Sequence, residues 1–139
     1  MLSTPEYGWC DITIGNWSDR VSYLTNFHID LLDGILNILK SGKPSIIYCD
    51  AEGWDYMIVL DHYVIHIIES KEKYKLYSID MKIEDFAIEC YNDILRDINE
   101  WSKWDTDEMT EKEISKNRAK IVRRLKYIAA YFRSKGVYL

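Results

Sequence analysis

The sequence predicts an α+β fold: an antiparallel meander of about five strands, with one helix after the first strand and two C-terminal helices packed on one face. Three observations carry this expectation. Strand-like runs follow one another from Ser45 to Asp80 with only short polar connections, which implies antiparallel pairing. Apolar residues recur at helical spacing in three other stretches, near residues 29–40, 83–101 and 110–135. The chain has 139 residues, 47% hydrophobic and 29% charged, enough for one core in a single domain and too apolar for general disorder.

In chain order, Trp9 to Gly15 alternates and is rich in β-forming residues, so it reads as a first strand stopping at Gly15-Asn16. The polar stretch 16–26 reads as a loop or a short extended piece. Leu31, Leu32, Ile35, Leu36, Ile38 and Leu39 place a helix over residues 29–40, ended by Gly42 and Pro44. Ser45–Asp50 and Trp54–Leu60 form a hairpin around the turn residues Asp50-Ala51-Glu52-Gly53, with Trp54, Tyr56, Ile58 and Leu60 on one face. After a turn at Asp61-His62, the run Tyr63–Glu69 puts Tyr63, Ile65 and Ile67 on one face, and Tyr74–Asp80 follows the polar turn Ser70-Lys71-Glu72-Lys73.

Ile83, Phe86, Ala87, Cys90, Ile94, Ile98 and Trp101 mark one helix from about 83 to 101, broken by Asp105-Thr106-Asp107-Glu108. Thr110 with Glu113 is a capping-box pattern. It opens the helix of the basic C-terminal segment 109–139, whose apolar face is Ile114, Ile121, Val122, Leu125, Ile128, Ala129 and Phe132, and which stops at Gly136.

The net charge of −5 hides a division. Residues 1–110 hold 9 Lys and Arg against 21 Asp and Glu, whereas residues 111–139 hold 9 against 2. An acidic body therefore carries a basic last segment, which either lies against that body or meets a partner. The opening residues Met1 to Glu6 lack the basic patch and apolar stretch of a secretory signal, and no apolar run reaches the roughly 20 residues of a membrane span. A cytoplasmic location without a membrane partner is expected. Cys10, Cys49 and Cys90 are far apart and form no Cys-x-x-Cys pair, as reduced, buried thiols would.

Signatures of chemistry are scarce. His62 and His66 lie on a strand-like run, where four residues span about 13 Å, too far for two ligands of one zinc ion. Asp50, Glu52, Asp55 and Asp61 crowd the hairpin without the ligand spacing of a calcium loop. With 6 glycines there is no Gly-x-Ser-x-Gly, no Gly-x-Gly-x-x-Gly and no Gly-Lys-Ser/Thr run. No catalytic residue, metal or cofactor is expected, and the chain does not read as an enzyme. Lys116, Arg118, Lys120, Arg123, Arg124 and Lys126 could attract nucleic-acid phosphates, although the acidic body would repel them. Among 11 Tyr and 5 Trp, Trp17, Trp101 and Trp104 fall near expected loops and helix ends, where aromatic rings beside acids make a contact surface.

The local sequences Trp9-Cys10-Asp11-Ile12, Ser22-Tyr23-Leu24, Asp30-Leu31-Leu32, Asp50-Ala51-Glu52-Gly53 and Phe86-Ala87, in this order over residues 9–104, resemble a widespread group of small bacterial proteins. In size, acidity and domain count the chain is similar to the immunity proteins of bacterial toxin systems, which bind and block a toxin domain inside the producing cell. The resemblance implies a binding role and no cofactor. The expected function is thus neutralisation of a basic toxin, such as a nuclease, through Asp50, Glu52, Asp55, Asp61, Trp101, Trp104, Asp105, Asp107 and Glu108. The alternatives are a nucleic-acid-associated factor using Lys116, Lys120, Arg123 and Arg124, and a self-associating subunit forming a homodimer.

Overall fold

A computed structural model of the chain describes residues 1–105 and 108–139. Its elements are β1 (Trp9–Ile14), β2 (Trp17–Ser22), α1 (Phe27–Ser41), β3 (Ser45–Asp50), β4 (Asp55–Leu60), β5 (Val64–Ser70), β6 (Tyr74–Asp80), α2 (Ile83–Arg96), α3 (Ile98–Ser102) and α4 (Glu111–Ser134). The class is α+β, and the strands divide into a β1-β2 hairpin and a four-stranded antiparallel meander ordered β3-β4-β5-β6.

The stretch expected as a loop or a short extended piece supplies β2. Ile14 pairs with Trp17 in register, so Gly15-Asn16 is a two-residue turn, and Gly15 takes the positive φ of 56° that such a turn asks of its first residue. That tip presses on β6, because a Cβ on Gly15 would meet Ile79 Cγ2 at 3.0 Å. The first helix consequently follows β2 rather than β1.

Helix α1 ends where expected. Gly42 caps it with φ 74°, its N–H donating to the Ile38 carbonyl. The helix lies against the inward side of β3, close enough that a Cβ on Gly34 would sit 3.2 Å from Ile47 Cδ1, and Ser45 Oγ donates to the Gly34 carbonyl at 2.8 Å. The hairpin covers β4 and β5 on the inward side through polar locks, while Lys75 and Tyr77 on that side of β6 stay exposed. Trp17 Nε1 donates to buried Glu69 at 2.7 Å, Tyr56 OH to the Arg20 carbonyl at 2.8 Å, and Trp54 Nε1 to Asp19 at 3.1 Å. Lys71 pairs with Asp19 at 3.4 Å, and the Arg20 guanidinium stands over both the Trp9 and Trp54 rings.

The single helix expected over 83–101 is two. Asp97 takes a non-helical ψ of 30° between α2 and α3, while its carboxylate accepts from Arg96 and from Thr4 Oγ1, tying the N-terminal residues to the break. At Thr110 the hydroxyl accepts from the Glu113 N–H at 3.1 Å, the expected cap of α4. Ile121, Leu125, Ile128 and Phe132 then bury α4 on α1 and α3. One continuous core joins residues of every helix and of β1 to β5. Tyr63, expected inward, lies just before β5 and is 70% exposed.

Candidate protein-binding surface

Alternation along the strands gives the meander two faces. The inward one is covered over β3 to β5, where Ile47, Cys49, Tyr56, Ile58, Leu60, Ile65 and Ile67 are all at most 1% exposed. Register arranges the outward positions in cross-strand rows. Ile46, Val59, His66 and Ser78 form the first, Tyr48, Met57, Ile68 and Leu76 the second, and Asp50, Asp55, Ser70 and Tyr74 the third. The second row is apolar or aromatic from one edge of the sheet to the other. Ile46 and Leu76 are each 66% exposed and Tyr74 81%, with Met57, Val59 and Ile68 half-buried by their neighbours alone. No covering layer lies on this face among the described residues.

Its charge is of one sign. The outward strand positions include Asp50, Asp55 and Asp80 and no lysine or arginine. Asp50 and Asp55 oppose each other across the β3-β4 pair. Asp55 accepts from the Ser70 hydroxyl and from Tyr48 OH, the latter at 2.8 Å, and these bonds hold its carboxyl below the usual range. The same bond raises the Tyr48 phenol. The turn is fixed by Asp50 Oδ1, which accepts from the Glu52 N–H at 2.7 Å while Glu52 adopts a left-handed φ of 53°. Tyr48, Asp50, Gly53, Trp54, Asp55 and Ser70 line a shallow depression of about 300 Å³ at this acidic end.

Of the expected contact residues, Asp50, Glu52 and Asp55 thus come together beside the apolar row. Asp61 does not join them. It sits just past the other end of β4, about 20 Å along the strand direction from Asp55, where it accepts from the His62 N–H. Trp101 and Trp104 are not surface anchors as they stand, being 0% and 5% exposed, and Trp17 is likewise buried. Helix α3 carries Trp101 inward and the residues just after it carry Trp104, so that their ring centroids lie 5.0 Å apart and His28 packs on Trp101 at 5.1 Å. Trp104 also spends its N–H on the Thr25 carbonyl. Asp105 and Glu108 are exposed, while Asp107 lies outside the described residues.

On α4, Lys116, Lys120 and Arg123 are exposed. Arg124, one of the cations of the alternative nucleic-acid surface, is a clamp between helices: its Nε pairs with Asp33 at 2.7 Å and its Nη1 donates to the Lys120 carbonyl. The basic helix therefore does lie on the body, held by its apolar side and by Asn117 on the Ser102 carbonyl.

Reactive groups are muted. All three cysteines are buried, and burial pushes the Cys10 thiol up to about 12 and those of Cys49 and Cys90 up as well. Among the described residues no three His, Cys, Asp or Glu side chains are grouped to hold a metal ion, and no helix is long and apolar enough to cross a membrane. His62 Nε2 bonds the Gly42 carbonyl and His66 Nδ1 bonds Ser78 Oγ, so each imidazole has a separate local partner.

Sequence reasoning found the acidic turn and missed the apolar rows. Their signal was available in Tyr56-Met57-Ile58-Val59-Leu60 and Ile65-His66-Ile67-Ile68, where apolar residues do not alternate with polar ones. Uninterrupted runs of this kind belong to strands covered on both sides. No protein-family model, curated protein or solved structure matches the chain.

Proposed function

We propose that the chain is a protein-binding module whose outward sheet face receives a basic partner, and that it works in the cytoplasm as the neutralising partner of a basic bacterial toxin. The observation that carries this reading is the outward row Tyr48, Met57, Ile68 and Leu76, apolar or aromatic from edge to edge of the sheet, with no covering layer on it among the described residues. An exposed continuous apolar patch of this kind characterises interaction sites. Tyr48 and Tyr74 add aromatic anchors at its edges, of the type that dominates binding energy.

Charge complementarity selects the partner. Asp50 and Asp55 stand directly opposite each other at the end of the apolar row, so beyond their local hydrogen bonds they place two like charges beside it. With no cation among the outward strand positions, a partner presenting lysine or arginine around an apolar centre meets both features, and complementary potential speeds its approach.

The test is to isolate the native protein with its bound material and identify that material by mass spectrometry, alongside two variants. A basic protein should be retained by wild type and by Lys116→Glu/Lys120→Glu, and lost from Ile68→Lys/Leu76→Lys. The second reading, a nucleic-acid factor, is favoured by the exposure of Lys116, Lys120 and Arg123 along α4. Strong, salt-sensitive retention of DNA or RNA at physiological ionic strength, abolished by the α4 variant and kept by the sheet variant, would replace the first reading with it.

A further inference from the structure

Strand β6 ends the meander with an open backbone edge. Its 7 residues pair one to one with β5, without a bulge. Among the described residues β5 is the one element packed along it, and the hairpin tip touches it at Ile79. The Met81 N–H donates to the Tyr63 carbonyl in that same register, so Lys75, Tyr77 and Ile79 turn their backbone groups toward β5. Tyr74, Leu76, Ser78 and Asp80 turn theirs away from it, and among the described residues no hydrogen bond from another part of the chain reaches those groups.

An edge of this length is a template for another strand, and folded proteins blunt such edges with proline, a bulge, lysines or a covering element. Strand β6 has no proline, Lys75 is its one lysine, and neither of its sides is buried. Tyr74 and Leu76 are exposed on the outward side and Tyr77 on the inward one. The other edge strand, β3, differs: α1 packs against it, and its residues Ser45, Ile47 and Cys49 are buried.

We propose that β6 pairs antiparallel with β6 of a second copy of the chain, joining the two four-stranded meanders into one continuous sheet. The strand is complementary to itself in one register. With Tyr77 opposite its own counterpart, Tyr74 faces Asp80 of the second copy and Leu76 faces Ser78, so every open N–H and C=O of the edge finds a partner. In that register the two charged residues of the strand meet no like charge: Lys75 faces Ile79 and Asp80 faces Tyr74. A shift of two residues in one direction leaves the groups of Asp80 unpaired by the strand and brings its carboxylate toward Glu72, and a shift of two in the other leaves those of Tyr74 unpaired. The two-fold axis stands normal to the sheet, which puts both outward faces on the same side.

Pairing at the edge needs no basic partner on the face, so this proposal and the binding role fail independently. Sedimentation equilibrium of the full chain alone should show a dimer that is complete by the high micromolar range. Ser78→Pro removes an N–H that the single chain leaves unused, a change an open edge tolerates, and should raise the dimer dissociation constant at least tenfold while circular dichroism stays that of the folded chain. Register is read by cysteine cross-linking, which also decides the matter if Ser78→Pro does not fold. The native cysteines are buried, so an introduced thiol reports its own neighbour. Tyr77→Cys meets itself at the axis and should form a disulfide-linked dimer under mild oxidation at least tenfold faster than Lys75→Cys, whose counterpart lies four residues further along the pairing. A monomer throughout the micromolar range would overturn the proposal. So would open-ended assembly beyond the dimer, a dimer indifferent to Ser78→Pro, or equal cross-linking at the two positions.

Discussion

The two faces of the meander are built from the same strands and nearly the same residue types, yet they have opposite fates. Ile58 and Ile67 on one side are at most 1% exposed, under α1 and the hairpin, while Ile46 and Leu76 on the other are each 66% exposed. The difference does not lie in hydrophobicity. It lies in which side the chain's own layers reach: α1 approaches β3 through Gly34, and the hairpin locks to β4 and β5 through Trp17, Asp19 and Arg20. Burial is thus a property of the whole topology, and an apolar strand position left open is information about a surface that the fold itself does not use.

The largest test of this contrast is on the covered side. Ile58→Ala opens a cavity beneath the helix and hairpin, and should cost about 2–5 kcal/mol in urea denaturation. A loss below about 1 kcal/mol would mean that the inward face is not a packed core, and the contrast between the faces would go with it.

Each face also holds a carboxylate that accepts from an aromatic donor, which sharpens the comparison. Glu69 is 5% exposed and takes the Trp17 indole N–H, whereas Asp55 takes the Tyr48 hydroxyl on the open side. Trp17→Phe leaves a buried carboxylate without that donor and should cost about 2–3 kcal/mol, with Glu69→Gln costing less because the amide oxygen still accepts. Tyr48→Phe should fall within about 0.5 kcal/mol of wild type, since water replaces the lost bond. Equal losses in equilibrium denaturation would show that the outward face is drier than its exposure indicates.

Much of this was legible in the sequence, and the gaps have physical causes. Period-two alternation placed β1, successive apolar runs between short polar turns placed the meander strands, Gly42 and Thr110 marked helix ends, and the acidic turn at Asp50 to Asp55 was visible as turn chemistry. Strand β2 was hidden because Trp17-Ser18-Asp19-Arg20-Val21-Ser22 is short and polar at four of its six positions, Asp19 breaking the alternation, although the Gly15-Asn16 pair before it is a hairpin signal. The tryptophans misled for another reason. A ring near a helix end reads as exposed, but the break at Asp97 turns α3 so that Trp101 and Trp104 point under α1. Arg124 looked free because its acceptor, Asp33, is 91 residues away. What decides a candidate site here is register between strands and angle between helices, neither of which a single sequence states.

The smallest expected effect on stability is the most telling. Ile68 occupies the middle of the apolar row, between Met57 and Leu76. If that row is a surface held ready for a partner, Ile68→Ser removes little that the isolated chain relies on, and its denaturation midpoint should stay within about 0.5 kcal/mol of wild type. Partner binding should meanwhile weaken at least tenfold, because truncating the centre of an apolar contact removes interactions that only the complex makes. Binding measured by titration calorimetry and folding measured by urea denaturation must therefore separate for this substitution, as they cannot for Ile58→Ala. A large loss of stability in Ile68→Ser would place the residue in the working core, and the outward face would then be an ordinary half-buried sheet surface with no claim on a partner.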